Sequence, residues 1–202
     1  MDKIGIMGGT FDPIHLGHLA MAQEAADLLH LPQVVFIPAQ IPPHKRGRRI
    51  TPPETRLRMT KIATADNPLF AVSDMELKRS AARPSYTVDT LNELKALYGE
   101  TTELYFISGA DSLVDLPTWH RAEELLHRCF FVATRRPGVP LTEKIVADTF
   151  GALAERIIFL DTPALEISST AIRERIKNRR SVRYYIPAAV AKFIENEGLY
   201  RE

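Results

Sequence analysis

Two hydrophobic rhythms alternate along the chain. Short unbroken runs of Val, Ile, Leu and Phe occur at 3–8 (KIGIMG), 33–39 (QVVFIPA), 69–74 (LFAVSD), 103–109 (ELYFISG), 129–134 (CFFVAT) and 156–161 (RIIFLD). Runs of this length that do not alternate with polar residues fit strands buried on both faces. Between them, apolar residues recur at helical spacing. Leu19, Ala22, Ala26 and Leu29 make one stripe, Leu57, Ile62 and Ala65 a second, and Val88, Leu91, Leu94 and Leu97 a third. Strands alternating with helices predict an α/β fold, a parallel sheet covered by helices on both faces.

Two stretches break the rhythm. The segment 38–54, PAQIPPHKRGRRITPPE, is too rich in proline and charge for regular structure and reads as a long loop. Loops of that length in compact domains often carry function. The tail SSTAIRERIKNRRSVRYYIPAAVAKFIENEGLY reads as two helices split at Pro187. With no repeat, low-complexity segment or clear linker, residues 1–202 are expected to form a single domain. The last ~35 residues, within the loose boundaries of such a reading, form a helical C-terminal appendage.

Composition narrows the class. A chain of 202 residues with 45% hydrophobic and 25% charged residues can bury a full core without staples. The single cysteine, Cys129, sits in an apolar run and reads as a buried structural thiol, so no disulfide framework exists and a reducing, cytoplasmic location is expected. No apolar run approaches the ~20 residues of a membrane span, and the N-terminus lacks the apolar core of a signal peptide. A net charge of +1 gives no global attraction to nucleic acid or membrane. Any anion preference must come from local clusters.

The first such cluster is IGIMGGTFDPIHLGH, Ile4 to His18. Gly5, Gly8 and Gly9 do not match the G-x-G-x-x-G dinucleotide spacing, and Gly17 is followed by His18 rather than the lysine of a Walker loop. Zinc on His15 and His18 would need further ligands, and none stands at ligand spacing. An anion site remains. Gly8 and Gly9 let a ligand approach the backbone. A helix starting near Ile14 to Leu16 turns its free amides and positive dipole end toward the crevice at the sheet's C-terminal edge. His15 and His18 add donors that can carry charge near neutrality. The bland alternative is a turn with two surface histidines.

A second cluster, ISSTAIRERI (167–176), puts Ser168, Ser169 and Thr170 before an apolar-periodic stretch. It reads either as an ordinary capped helix or as a second anion site with Arg173 as a forked donor. His44, Lys45, Arg46, Arg48 and Arg49 make the long loop basic, but no aromatics are interleaved and a nucleic-acid surface is not indicated. Trp119 is the only tryptophan. It is either core or, given its polar neighbours Thr118, His120 and Arg121, a platform for a flat ring. Asp111 lies where ligand sites cluster, at the end of a strand, and fits a role toward ribose or substrate. Arg135 or Arg136, after CFFVAT, suits a phosphate.

GGTFDPIHLGH resembles the signature of the nucleotidylyltransferase superfamily, in which a glycine-rich turn leads into an (H/T)-x-G-H motif. The resemblance continues through PPHK (42–45), PSYTVDTL (84–91), FISGADSL (106–113), LPTWHRAEEL (116–125), ISSTAIRERI and YIPAAVAKFIENEGLY (185–200), in the order of the bacterial nicotinate-nucleotide adenylyltransferase family. It covers essentially the whole chain and implies a Rossmann-like, doubly wound sheet. It also implies adenylyl transfer from ATP to nicotinate mononucleotide, giving nicotinate adenine dinucleotide and pyrophosphate in NAD biosynthesis.

The same resemblance assigns roles. His15, His18, Lys45 and Arg173 would act on the phosphates, with His18 nearest the reacting phosphorus. Gly8, Gly9, Thr10, Phe11, Gly109, Asp111, Ile167, Ser168 and Ser169 would join His15, His18 and Arg173 around ATP. Lys45, Thr87, Asp111, Trp119, His120 and Arg135 would hold the mononucleotide. Trp119 would stack on the pyridine ring, and the backbones of Thr87 and His120 would face the nicotinate carboxylate. His120 stands where the family commonly has tyrosine, which is harmless if only its backbone acts. Mg²⁺ would ride on the phosphates and water, with no protein metal site. No nucleic acid or membrane partner is expected, and a homo-oligomer is compatible with the reading. Alternatives are phosphopantetheine or nicotinamide mononucleotide as acceptor, or a non-catalytic nucleotide-binding protein.

Overall fold

The computed structural model describes residues 2–43, 49–80, 83–135, 142–161 and 165–202. Its centre is a six-stranded sheet: β1 (Lys3–Gly9), β2 (Val34–Pro38), β3 (Phe70–Val72), β4 (Glu103–Gly109), β5 (Phe130–Thr134) and β6 (Ile157–Leu160). All neighbours pair in parallel, in the order β3-β2-β1-β4-β5-β6. The order reverses between β1 and β4, so Gly9 and Gly109 end side by side at the topological switch point, where open α/β sheets bind ligands. All six apolar runs contain strands, trimmed by a residue or more at most ends.

Successive side chains in a strand face opposite layers. Met7, Val34 and Phe36 point into one core, while Ile6, Val35 and Ile37 point into the other. Helices α1 (Leu16–Leu29) and α2 (Pro53–Thr64) cover the first face, and α3 (Thr87–Tyr98), α4 (Ala110–Asp115), α5 (Ala122–Arg128) and α6 (Glu143–Phe150) the second. Helices α7 (Ser169–Lys177) and α8 (Ala188–Asn196) lie either side of Pro187. Ile172, Ile186, Val190, Phe193 and Ile194 pack with Met7, Phe11 and Ala22, so the tail shares the first core.

Three sequence readings need correction. The buried face of α2 is Arg56, Met59, Thr60, Ala63 and Thr64, while Ala65 is exposed and caps the helix. Leu97 continues the α3 stripe only in sequence; it is 70% exposed, and the buried face of that helix stops at Leu94. Asp111 does not end a strand. Gly109 ends β4 and caps α4, and Asp111 is an exposed residue in the first turn of that helix. Cys129 is buried, its thiol set on the Leu125 carbonyl, and burial pushes its pKa up to about 12. Among the described residues no helix is long and apolar enough to cross a membrane.

Candidate active site

The turn after β1 is shaped by what a side chain would strike. A Cβ on Gly9 would lie 2.9 Å from the Phe11 ring, and one on Gly8 would lie 3.2 Å from Phe106. Phe11 itself is buried with φ +50°. The chain then passes through Asp12 and Pro13 to His15, the N-cap of α1. His18, at N3, reaches back so that its Nδ1 accepts from the His15 main-chain N–H at 3.2 Å. This is the return arm of a capping box, with histidine where glutamate or glutamine is usual. With Nδ1 accepting, neutral His18 carries its proton on Nε2 and is a donor there. The two rings stack at 3.6 Å, and Phe11 meets His18 edge-on at 5.1 Å.

The α1 terminus offers fewer donors than the sequence suggested. The Leu16 amide donates to the Tyr185 carbonyl at 2.9 Å, and the His18 amide returns to the His15 carbonyl at 3.0 Å. The dipole remains, but these amides are not free. His15 is itself buried, and the His18 ring beside it is partly exposed.

Gly17 was passed over in the sequence except as a failed Walker glycine. A Cβ there would stand 3.1 Å from His15 Nδ1 and 3.7 Å from Ile167. It is the space between the histidine pair and the ISST segment. That segment docks onto the glycine turn. Ser168 caps α7 by accepting from the Ala171 amide, Ser169 Oγ donates to the Pro13 carbonyl at 2.9 Å, and Arg173 donates to the Asp12 carbonyl at 2.7 Å. The capped-helix reading of ISSTAIRERI holds, and the same geometry sets Arg173 beside the turn.

Asp12 and Arg56 hold this assembly and were not foreseen. Asp12 is buried, with Oδ1 accepting from Tyr200 at 2.6 Å and Oδ2 from the Thr51 amide at 3.3 Å. Arg56, 1% exposed, donates to the carbonyls of Thr10, Ala39, Gln40 and Thr51. It thus clamps the glycine turn to both ends of the long loop. Burial lowers the pKa of its guanidinium, an effect opposed by nearby Asp12 and Tyr200. An aspartate between Phe and Pro just after a glycine turn was the available signal.

A cavity of about 520 Å³ opens from Gly8, Gly9 and Thr10 toward α3 and the Leu116–Thr118 turn. Thr87, Trp119 and His120 line it, together with Glu76 and Thr90. Thr87 is the first residue of α3, so the N-terminal end of that helix borders this wall. Trp119 is only partly exposed and meets Phe106 and Phe131 edge-on at 6.0 and 6.2 Å. It is both core and cavity wall. The His120 ring stacks on Tyr86 at 4.1 Å, so the position retains a flat ring.

Arg135 follows β5, in a salt bridge to Asp161 at 3.4 Å and over the Phe159 ring. His44, Lys45, Arg46, Arg48 and Arg136 lie outside the described residues. Among the described residues, no group of three His, Cys, Asp or Glu side chains could hold a metal.

Comparison with known proteins identifies the family. Residues 6–175 match the cytidylyltransferase-like family model. A probable nicotinate-nucleotide adenylyltransferase of Dehalococcoides mccartyi is 46% identical over 199 residues, covering 98% of this chain and 97% of that protein. One from a Roseiflexus species is 47% identical, covering 98% of each chain. Among solved structures, Plasmodium falciparum nicotinic acid mononucleotide adenylyltransferase complexed with NaAD superposes with a TM-score of 0.82 at 21% identity, covering 99% of this chain and 98% of that one. That likeness shows the shared fold. With the family model and full-length relatives at this identity, the chain belongs to the cytidylyltransferase-like nucleotidyltransferases and, within them, to the nicotinate-nucleotide adenylyltransferase family.

Proposed function

We propose that this enzyme transfers the adenylyl group of ATP to nicotinate mononucleotide, releasing pyrophosphate and nicotinate adenine dinucleotide, as a cytoplasmic step of NAD biosynthesis. The observation that carries the reading is the continuity of two half-sites across Gly8, Gly9 and Thr10. On one side stand His15, His18 and Arg173; on the other lies the cavity walled by Thr87, Trp119 and His120. A dinucleotide product needs such a pair of sites meeting at one phosphate. The names of the full-length relatives support the same reaction.

The 5′-phosphate of the mononucleotide attacks the α-phosphorus of ATP in line, its oxygen bonding to phosphorus as the bond to the pyrophosphate oxygen breaks. The nucleophile is already an anion, so no general base is needed. The chain's contribution is alignment and charge stabilisation. His18 Nε2–H donates to the α-phosphate, His15 packs behind it, and Arg173 meets the departing pyrophosphate. Ser168, Ser169 and Ile167 line the ATP side through the α7 segment, and Gly109 and Asp111 border it from β4 and α4. Lys45 neutralises the phosphate chain. Trp119 stacks on the pyridine ring, and amides at Thr87 and His120 receive its carboxylate. Arg135 takes the mononucleotide phosphate by leaving Asp161.

The donor set beside the turn is imidazole, guanidinium and hydroxyl, and both Asp12 oxygens are already occupied. These residues do not form a Mg²⁺ cage; the ion fits as part of Mg-ATP, where it neutralises phosphate charge. The test is pyrophosphate release from Mg-ATP with nicotinate mononucleotide, its amide analogue or phosphopantetheine. Release is expected to be fastest with the acid. Equal rates with acid and amide would remove the acid assignment, and release only with phosphopantetheine would remove the reading.

A further inference from the structure

One wall residue of the cavity carries chemistry that the mechanism does not use. Glu76 lines the same space as Thr87, Trp119 and His120, yet is only 6% exposed. Its Oε1 accepts from the Thr90 hydroxyl. Among the described residues its Oε2 is buried with no hydrogen-bond partner. Among the described residues Arg79, the cation that acts on it, does not pair with it directly. Arg79 Nε binds Glu93 at 2.8 Å, and Arg79 Nη1 reaches only the far side of the Thr90 hydroxyl, at 3.1 Å. That hydroxyl accepts from Arg79 and passes its own proton toward Glu76.

The other groups around the carboxyl are polar but mostly uncharged. Ser85 faces it while accepting from the Gln40 and Ile41 amides. The Gln40 side-chain amide is placed to donate to the main-chain oxygens of Glu76 and Arg79. Glu93, on α3, adds a like charge, and His120 shares the cavity. A carboxylate with one bare, buried oxygen and a cation held by another acid is costly to ionise. Burial accordingly raises its pKa, against smaller opposing effects from Thr90, Ser85 and Arg79.

We propose that Glu76 is a specificity-determining residue of the pyridine cavity, tolerating a carboxylate-bearing ring while neutral and opposing it once ionised. The inference rests on the reading of this cavity as the nicotinate site. A second negative charge in the same low-dielectric wall repels the substrate carboxylate but has little effect on a neutral amide. By linkage, binding of the acid favours protonated Glu76, so acid binding takes up a proton once Glu76 is ionised in the free enzyme. The acid-over-amide preference therefore falls as pH rises.

The test is kcat/KM for nicotinate mononucleotide and for its amide analogue across pH, on the wild type and Glu76→Gln. Both substrates carry the same phosphate, so their ratio cancels its titration. In the wild type the ratio is expected to fall about tenfold through the Glu76 ionisation. In Glu76→Gln it is expected to stay at the high, low-pH value throughout. If the variant kept the wild-type pH dependence of the ratio, or the wild-type ratio were flat, the role of Glu76 would be overturned. Calorimetry on the wild type in buffers of different ionisation enthalpy gives a readout that needs no variant. Measured at a pH where the wild-type ratio has begun to fall, more proton uptake with the acid than with the amide supports the inference, and equal uptake there overturns it. Absence of turnover with the acid at every pH would instead overturn the nicotinate reading itself.

Discussion

The Tyr200 hydroxyl donates to Asp12 Oδ1 across 2.6 Å, tying the end of the chain to the turn that follows its first strand. Asp12 also receives the Thr51 amide and, at its carbonyl, Arg173. One buried residue thus joins the glycine turn, the long loop, α7 and the C-terminal tail. Tyr200→Phe removes one donor and leaves a buried carboxylate oxygen short of a partner. The expected loss is about 1–3 kcal/mol of stability, measured by urea unfolding. An unchanged midpoint would show that the bond does not hold the tail.

Gly17 separates stability from activity. It lies within α1 without a positive φ, so alanine suits its backbone and is favoured in a helix by up to ~1 kcal/mol. The added Cβ, however, would sit 3.1 Å from His15 Nδ1 and push the histidine pair. Gly17→Ala is expected to melt no lower than the wild type while losing at least about tenfold in turnover, since small misplacements of aligned groups are costly. Full turnover would mean that the histidine stack is not needed in this position.

The fold is also expected to weaken in alkali. Burial pushes Cys129 and Tyr105 up to about 12, the latter helped by Glu103, and raises Tyr200, helped by Asp12. All three are neutral acids whose folded values lie above their unfolded ones. Their stabilisation is intact below the unfolded values of 9.0 for the thiol and 10.0 for the phenols, and is lost as pH rises from there toward the folded values. Urea midpoints should be level near about pH 8 and fall steadily toward about pH 12. A level midpoint throughout would contradict this.

The strands were legible because a parallel sheet buries both faces, and unbroken runs such as VVFIP have few other uses. The α2 face was not, because the largest residue it buries is a charged one. Arg56 reads as an outward cation, and only four carbonyls brought together by the fold make it a core residue. The histidines and glycines of the site stood out because they share one turn of sequence. Asp12 with Tyr200 did not, being 188 positions apart. Glu76 was hidden differently: among DMELKRS it looks like one more solvated charge, and nothing local shows that Thr90 will cover it.

The central claim is that His18, fixed by the His15 amide at Nδ1 and donating from Nε2, stabilises the α-phosphate during transfer. Removing one such preorganised donor typically costs about 10²–10³ in rate. The direct measurement is kcat for pyrophosphate release by His18→Ala with Mg-ATP and nicotinate mononucleotide, alongside its melting curve. The expected result is a loss in or beyond that range with folding retained. Near-wild-type turnover by a folded His18→Ala protein would contradict the account.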